Sequence, residues 1–276
     1  MIYAKISDGF GNQLFMYACC YAVARRLNTK LLLDISYIET NNLRSYELDK
    51  LNIVYDKIFK TTFLKYYPLK VLYRKLFHCY IRLFKNIYKE KIVKEFDPAV
   101  LYLRDETYLS GYWQNENYFK DFRKDLLQML SPRNNVSAGC REWISKVNGC
   151  NSVAVHIRRG DYVKLGICLN VEYYKKAVEY IIASRQEAPR FFVFSDDIEY
   201  SKIMMSGICD AEYVQYATID GTLEDFFIMK ECNHIIMANS SYSWWAAWLN
   251  DNPFKIVICS MDTGSTLSYP EGWVKL

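Results

Sequence analysis

Hydrophobic and polar positions along the first 34 residues follow the pattern of a strand, a turn, a helix and a second strand. Residues 2–6 alternate like a short buried strand, and residues 7–12 (SDGFGN) are typical of a turn. Residues 13–27 have the apolar spacing of a helix, and residues 30–34 (KLLLD) predict a strand that ends in a carboxylate. Together they predict one βαβ unit, and hence a parallel sheet with a ligand near the carboxyl ends of its strands.

The second half of the chain alternates between apolar strands and amphipathic helices. The predicted strands cover residues 152–157, 191–194, 234–238 and 255–259, and the predicted helices cover residues 171–184, 225–231 and 243–249. Alternation at this length predicts an α/β fold with a doubly wound parallel sheet. We place the domain boundary near Cys150, which separates a lobe of residues 1–150 from a lobe of residues 151–276.

The composition is that of a soluble globular enzyme, with 51% hydrophobic and 24% charged residues. Neither a signal peptide nor an apolar run of about 18 residues is visible in the sequence. The nine cysteines are scattered without any C-x-x-C spacing, which favours free thiols in a reducing compartment. We therefore expect a cytoplasmic protein.

Positive charge is concentrated in the first half of the chain. Residues 1–150 carry 24 Lys and Arg against 15 Asp and Glu, whereas residues 151–276 carry 11 against 16. In the basic-aromatic segment 57–95, eleven basic and nine aromatic residues accompany only Glu90 and Glu95. On a helix this pattern gives a basic face and an apolar face. Two interpretations stay open: a helical insertion that packs on its own lobe, or peripheral contact with an anionic membrane.

The strongest local motif follows the predicted strand 152–157. His156 is followed by Arg158, Arg159, Gly160 and Asp161. Two guanidinium groups at the carboxyl end of a strand offer forked donors to a diphosphate, and they could stabilise charge on a departing phosphate. The alternative is an Arg–Asp pair on the surface.

A second strand, 191–194, ends in Ser195, Asp196 and Asp197. Carboxylates at a strand end commonly accept hydrogen bonds from ribose hydroxyls or base N–H groups. One Asp-Asp pair without companion ligands is a weak metal site. Either aspartate could instead cap the next helix.

A third motif begins after the strand 234–238. Asn239, Ser240 and Ser241 open a helix, where hydroxyl groups and free backbone N–H groups form an anion site. We interpret the tryptophans that follow, Trp244, Trp245 and Trp248, as a packing face rather than a sugar platform. We interpret His234 as a structural residue.

A fourth motif, DGFGNQ at residues 8–13, occupies the first turn between strand and helix. A G-x-G pair alone is a weak nucleotide signal. Because the third glycine of a dinucleotide fingerprint is missing, the motif argues against NAD or FAD as a cofactor.

In their order along the chain, these motifs resemble the bacterial α-1,2-fucosyltransferases, glycosyltransferase family 11. The resemblance covers nearly the whole chain. Its most family-like strings are GFGNQLFMYA (9–18), LSGYWQNENYF (109–119), HIRRGDY (156–162), FSDDI (194–198) and ANSSYSWWAAWLN (238–250).

The resemblance implies a two-lobed, GT-B-like architecture with Rossmann-like parallel sheets, in which the lobe 151–276 binds GDP-fucose. Arg158 would contact the β-phosphate and assist its departure, with Arg159 in support. Other residues of this lobe would hold the base, the ribose and the diphosphate: His156, Asp196, Asp225, Asn239, Ser240, Ser241 and Tyr242. Residues of the lobe 1–150 would line the cleft close to the fucose and the acceptor: Gly9, Gly11, Asn12 and Gln13.

The implied reaction inverts the anomeric centre in one displacement and uses neither a cofactor nor a metal, because arginine takes the place of the cation. An inverting transfer needs a carboxylate near the acceptor hydroxyl. Asp8, Glu116 and Asp161 are the candidates for this general base, although the family usually has glycine at the position of Asp8. Asp161 could equally orient one of the arginines.

The resemblance also implies the partners. They are GDP-fucose and a galactose-terminated oligosaccharide acceptor, free or lipid-linked, used in assembling a surface polysaccharide such as O-antigen. We expect no nucleic-acid partner. Two alternatives stay open: transfer from another GDP-sugar, and a non-catalytic homologue that binds sugar nucleotides.

Overall fold

The computed structural model describes residues 1–41, 44–184, 187–218, 220–261 and 267–276 of the chain. They form two compact units, Met1–Asn134 and Asn135–Leu276. Each unit contains its own parallel sheet. In the described ranges, no helix is both long enough and apolar enough to span a bilayer.

The boundary between the units differs from the predicted one near Cys150. A helix that precedes Cys150, Ala138–Asn148, belongs to the second unit. Ser137, at its start, donates from its backbone N–H and its hydroxyl to the two carboxylate oxygens of Glu224, at 2.7 and 2.8 Å. Because Cys140 is also fully buried there, this helix is part of the second core, and the division falls after Asn134.

The first unit contains five parallel strands in the order β3-β2-β1-β5-β4. The strands are β1 (Ile2–Lys5), β2 (Leu31–Asp34), β3 (Lys57–Phe59), β4 (Asn86–Lys89) and β5 (Thr107–Ser110). The helices are α1 (Phe10–Arg26), α2 (Ser36–Asn41), α3 (Tyr67–Phe84) and α4 (Arg123–Met129), with 3₁₀ turns at Leu48–Lys50, Pro98–Tyr102, Glu116–Tyr118 and Lys120–Phe122.

Helix α1 is buried over almost its whole length, since all residues from Gln13 to Ala24 are inaccessible. A helix that is apolar all round belongs in a core, so α1 forms the centre of the first unit. The predicted β1–α1–β2 unit is confirmed. The helix begins three residues earlier than predicted, because Gly9 already acts as its N-cap.

The basic-aromatic segment 57–95 is not one helix. It contains β3, then α3, then β4, and the two strands form opposite edges of the sheet. The amphipathic helix is confirmed only for Tyr67–Phe84.

The second unit contains six parallel strands in the order β11-β10-β9-β6-β7-β8. They are β6 (Ser152–Ile157), β7 (Arg190–Ser195), β8 (Ala211–Tyr213), β9 (His234–Ile236), β10 (Val257–Cys259) and β11 (Val274–Lys275). The helices are α5 (Ala138–Asn148), α6 (Gly160–Leu165), α7 (Val171–Ala183), α8 (Ile198–Met205), α9 (Gly221–Glu231) and α10 (Ser241–Leu249).

The core of this unit lies where α7 packs on the central strands. Tyr173 and Tyr174 of α7 are buried against Val155 of β6 and Val193 of β7. The doubly wound parallel sheet is therefore confirmed. All nine cysteines of the chain are free thiols.

Candidate active site

The topology of the second sheet places two of the predicted motifs side by side. From β6 the chain passes outward to β7 and β8, and then returns to place β9 on the other side of β6. Open parallel sheets bind ligands at the carboxyl ends of the strands where the winding changes direction in this way. Arg158 follows β6 at this point, and Asn239 follows β9. The hydroxyl of Tyr162 joins the two motifs by donating to the backbone oxygen of Asn239 at 3.3 Å.

Arg158 is held between two carboxylates. Its Nη2 atom lies 2.8 Å from Oδ1 of Asp161, and its Nη1 atom lies 2.9 Å from Oδ2 of Asp196. The two carboxylates orient the guanidinium, and because the side chain is 28% exposed, the group still reaches solvent. A half-buried, fixed guanidinium is well suited to binding a phosphate, because little order has to be gained on binding.

Arg159 is fixed by different contacts. Its backbone N–H donates to Oδ1 of Asp196 at 2.8 Å, and its guanidinium carbon lies 3.6 Å from the centre of the Tyr200 ring. Its Nε atom is 3.8 Å from Oδ2 of Asp197, which is an ion pair without a hydrogen bond. These contacts anchor Arg159 in the loop that carries Arg158, and its supporting role toward the phosphate stays a prediction.

Gly160 is required by close packing. A Cβ atom at this position would lie 2.6 Å from Oδ2 of Asp196. Because glycine has no Cβ, the Asp196 carboxylate can come close enough to orient Arg158.

The two aspartates after β7 have different roles. Asp197 is the N-cap of α8 and accepts from the backbone N–H of Tyr200 at 3.2 Å, so the capping alternative is confirmed for this residue. Asp196 binds Arg158 and the backbone of Arg159. Both of its oxygens are engaged, which gives Asp196 a positioning role, while its predicted contact with ribose or base stays a prediction.

Two buried polar atoms at the ends of β6 and β9 lack a hydrogen-bond partner in the described part of the chain. They are Nδ1 of His156 and Oδ1 of Asn239. Burial, and secondarily the charge of Arg158, lower the pKa of His156 to about 3, so the imidazole is neutral. Since buried polar atoms are rarely left unsatisfied, both are available to a bound ligand.

Helix α10 begins beside these residues. Ser240 is its N-cap and accepts from the backbone N–H of Tyr242 at 3.3 Å, and Ser241 is half-buried at the first helical position. A helix start of this kind presents N–H groups and positive partial charge to an anion. Trp244, Trp245 and Trp248 are all buried, which confirms that they form a packing face.

Asp225 of α9 interacts with two tyrosines, Tyr216 and Tyr242. The hydroxyl of Tyr216 donates to its Oδ1 at 3.1 Å. The ring of Tyr242 lies 5.4 Å from the ring of His156, and burial followed by the charge of Asp225 raises the pKa of Tyr242. Burial also raises the pKa of Asp225 to about 6. The ring of Tyr242 therefore lies beside His156 and within electrostatic range of Asp225.

In the first unit, the loop 7–12 lies at the carboxyl end of β1, as predicted. Gly9 has open space around its Cα, and Gly11 is buried in the first turn of α1. Asn12 accepts from Nε2 of Gln114 at 2.9 Å.

Gln13 is fully buried, and its amide binds only the protein's own backbone. Nε2 donates to the carbonyl oxygens of Asp8 and Ser45, both at 2.8 Å, and Oε1 accepts from the N–H of Glu47 at 3.0 Å. Gln13 therefore joins two loops, and its predicted contact with substrate stays a prediction.

A cavity of about 320 Å³ adjoins the same loop and is lined in part by Asp8, Glu90 and Tyr112. The carboxylate of Glu90 accepts the backbone N–H groups of Tyr112 and Trp113 at 2.6 and 2.9 Å, and burial raises its pKa. The sequence did not single out Glu90, which was counted there only as a counter-charge. Glu90 is one of two acidic residues among the eleven basic residues of segment 57–95, and this rarity was the feature of the sequence that could have identified it.

The other candidates for the general base are less free. Asp161 is paired with Arg158, and Glu116 lies half-buried at the start of a 3₁₀ turn. Throughout the described ranges, no three His, Cys, Asp or Glu side chains are grouped so that they could hold a metal ion.

The second unit is therefore a Rossmann-like lobe with positive charge at the switch point of its sheet. The arginine pair and the start of α10 supply this charge, which suits an anionic group such as a diphosphate. Residues 10–268 match the sequence model of glycosyl transferase family 11, and the chain belongs to that family. It is a glycosyltransferase that uses a sugar nucleotide, as the motif strings predicted.

Two relatives of the chain are a colitosyltransferase and a fucosyltransferase. The chain is 31% identical to an α-1,2-colitosyltransferase of Escherichia coli over 100% of this chain and 99% of that protein. It is 26% identical to the galactoside 2-α-L-fucosyltransferase SEC1 of Bos taurus, over 51% of this chain and 41% of that protein.

Among solved structures, the fold is similar to the NodZ α-1,6-fucosyltransferase that was soaked with GDP-fucose. The TM-score is 0.51 at 13% sequence identity, over 90% of this chain and 91% of that one. The predicted GT-B-like fold with two Rossmann-like parallel sheets is confirmed.

Proposed function

We propose that the protein transfers L-fucose from GDP-β-L-fucose to the 2-hydroxyl of a terminal galactose, forming an α-1,2 linkage. The observation that carries this proposal is the guanidinium of Arg158, fixed by two carboxylates at the switch point of the second sheet. The motif strings and the bovine fucosyltransferase relative support the sugar and the linkage.

The proposed reaction is a single displacement at C1 of the fucose. The acceptor oxygen attacks C1 of the fucose and forms the new C1–O bond, while the bond from C1 to the β-phosphate oxygen breaks and its electron pair leaves with GDP. Arg158 and the start of α10 stabilise the charge that develops on this phosphate, so the transfer proceeds without a metal ion. A carboxylate takes the proton of the acceptor hydroxyl.

We assign recognition of the guanine to His156, Asn239 and Asp225. Guanine presents N–H donors beside a carbonyl acceptor. A carboxylate suits the N–H groups, Oδ1 of Asn239 can accept a further N–H, and Nδ1 of His156 can donate to the carbonyl oxygen when it carries the proton of the neutral ring. Ser240, Ser241 and Tyr242 hold the diphosphate in this scheme.

A second donor is favoured by the colitosyltransferase relative, which matches over the full length of the chain. Colitose is L-fucose without its 3-hydroxyl. A site that hydrogen-bonds this hydroxyl discriminates strongly against the deoxy sugar, whereas a site that merely accommodates it does not.

The decisive experiment compares the two donors. Purified enzyme is incubated with lactose or N-acetyllactosamine and either GDP-fucose or GDP-colitose, in EDTA, and the product linkage is determined by NMR. Our proposal predicts an α-1,2-fucosylated galactose and the higher kcat/KM for GDP-fucose. A higher kcat/KM for GDP-colitose would assign the second donor, and turnover of neither would indicate a non-catalytic homologue.

We further propose that the natural acceptor is a galactose-terminated oligosaccharide carried on a lipid at the cytoplasmic face of the inner membrane. This setting suits a step in assembling a surface polysaccharide such as O-antigen. Extension of a lipid-linked oligosaccharide prepared from cells that lack the enzyme would test it. Transfer restricted to free oligosaccharides would contradict it.

A further inference from the structure

One side of helix α3 packs on the first sheet. The helix connects β3 to β4, the two edge strands, and so crosses over the whole sheet. Ile81 is 2% exposed there, and Phe77 stacks on Phe59 of β3 with ring centroids 3.7 Å apart. On the same side, Nε2 of His78 lies 3.1 Å from Oδ2 of Asp34. These contacts account for the inner side of α3.

The opposite side of α3 carries exposed apolar side chains. They recur at intervals of three and four residues, so they form one stripe along the helix. We call it the leucine stripe, and it consists of Leu69, Leu72, Leu76, Cys79 and Leu83. Leu72, Leu76 and Leu83 are 51%, 59% and 70% exposed. Apolar side chains scattered singly on a surface need no explanation, but a continuous exposed stripe marks an interaction surface.

The charges around the stripe all have one sign. Helix α3 contains Lys70, Arg74, Lys75 and Arg82 and not a single Asp or Glu. Lys75 and Arg82 are exposed beside the stripe, and none of the ion pairs found among the described residues involves them. An amphipathic helix with basic residues along its apolar side matches the surface of an anionic bilayer.

We infer that the leucine stripe of α3 docks onto an anionic phospholipid membrane, lying in the plane of the interface. The leucines enter the boundary between headgroups and acyl chains, while Lys75 and Arg82 bind lipid phosphates. This inference goes beyond the transfer reaction, and it does not depend on the identity of the donor or the acceptor.

A second copy of the chain fits this surface less well. Spacing by three and four residues also occurs in coiled coils, where charged residues that flank the seam pair with opposite charges on the partner helix. Two α3 helices would bring together eight positive charges and no negative one, since each contains four basic residues and no acidic residue. Anionic lipid supplies the missing charge.

Flotation with vesicles tests the inference. We expect the full chain to bind vesicles of phosphatidylcholine with phosphatidylglycerol, to bind pure phosphatidylcholine weakly, and to be released as salt rises. Two variants remove the apolar and the charged contribution separately. Replacing Leu72, Leu76 and Leu83 by Ser should abolish binding, and combining Lys75→Glu with Arg82→Glu should weaken it by about tenfold or more. The matched control combines Ile203→Ser with Lys175→Glu, which changes exposed residues of the second unit and should bind like the wild type.

Two further measurements separate docking from misfolding and from dimerisation. Cys79 is the one exposed cysteine, so an environment-sensitive fluorophore on it should shift to shorter wavelength with the anionic vesicles. Transfer to soluble lactose should be unchanged in all variants, which shows that they fold. Equal vesicle binding by the wild type and the leucine variant would overturn the inference. A dimer that dissociates in the leucine variant, without vesicle binding by the wild type, would assign the stripe to a second copy.

Discussion

The carboxylate of Asp196 positions both arginines of the site at once. Its Oδ2 atom lies 2.9 Å from Nη1 of Arg158, and its Oδ1 atom accepts the backbone N–H of Arg159 at 2.8 Å. One side chain at the end of β7 therefore fixes the guanidinium and the main chain of the loop after β6. Asp196, which follows the neighbouring strand, therefore sets the position of the Arg158 charge that we propose binds the diphosphate.

Arg158→Ala should lower kcat by about 10²–10³, because it removes a fixed charge from the leaving phosphate. Arg158→Lys should fall between this variant and the wild type, since one ammonium group cannot bridge Asp161 and Asp196 as the guanidinium does. Steady-state kinetics with GDP-fucose and a thermal melt provide the measurement. Wild-type turnover in the alanine variant would contradict the role given to Arg158.

Asp196→Asn should keep the fold and lose activity. The amide oxygen can still accept the N–H of Arg159, but the neutral amide no longer attracts the Arg158 guanidinium. Displacing a catalytic group by about 1 Å can lower the rate by about 10²-fold. We expect a fall in kcat/KM that appears in kcat as well as in KM. Asp197→Asn is the matched control, because asparagine caps a helix as well as aspartate does. Equal kinetics in the two variants would argue against positioning by Asp196.

Much of the second unit could be predicted from the sequence, because β6 is buried on both faces and α7 is amphipathic. β6 has the predicted bounds, and α7 and β7 differ by only one residue at their ends. Arg158 and Asn239 were identified because polar residues directly after such strands must lie at one edge of the sheet. The other candidate site residues were predicted from the strings that resemble glycosyltransferase family 11.

Other features depend on contacts between distant parts of the chain. β4 is an edge strand with alternating half-buried and exposed residues, so its apolar signal is weak, and Glu90 at its end was missed. The sequence does not predict that Asp196 positions Arg158, because this partner lies 38 residues away in the sequence, after another strand. The boundary near Cys150 was wrong because the polar surface of α5 resembles a linker, although Cys140 is buried.

Gly160→Ala should lower activity through Asp196. The new Cβ would lie 2.6 Å from Oδ2 of Asp196, so the carboxylate must move and Arg158 loses its support. We expect kinetics similar to those of Asp196→Asn. Gly207→Ala is the control, since its Cβ meets nothing within 4 Å, and it should be neutral or stabilising by about 0.4–1 kcal/mol. Similar activity in the two alanine variants would contradict this argument.

Asp225 should make the folded state less stable as pH rises from about 4 to about 6. Burial raises the pKa of its carboxyl from 3.8 to about 6 in the folded chain. Between these values the unfolded chain has already lost the proton that the folded chain retains, so deprotonation favours unfolding. The effect is at most about 3 kcal/mol and is complete above the folded pKa.

Asp225→Asn should remove this part of the pH dependence. The variant should gain stability relative to the wild type at pH 7, but bind GDP more weakly if the carboxylate receives the guanine N–H groups. Denaturant unfolding at several pH values and GDP titration measure the two effects. Stability that follows the same pH curve in both proteins would exclude Asp225 as the titrating group.

Asp8 should tolerate glycine. Its backbone φ of 65° lies in the left-handed region that glycine adopts without strain, which agrees with the glycine that the resemblance implies at this position. The relief of strain and the extra entropy of the unfolded chain oppose one another, so stability should change by less than about 1 kcal/mol.

The same substitution tests whether Asp8 is the general base. We expect Asp8→Gly and Asp8→Asn to retain most of the wild-type kcat, because the resemblance to family 11 implies a glycine at this position, which has no carboxylate. Losses of about 10²–10⁴ in both variants would instead assign the proton transfer to Asp8. A loss confined to Asp8→Gly would point to the backbone of the loop, since Asn preserves the side-chain volume and tolerates the left-handed conformation.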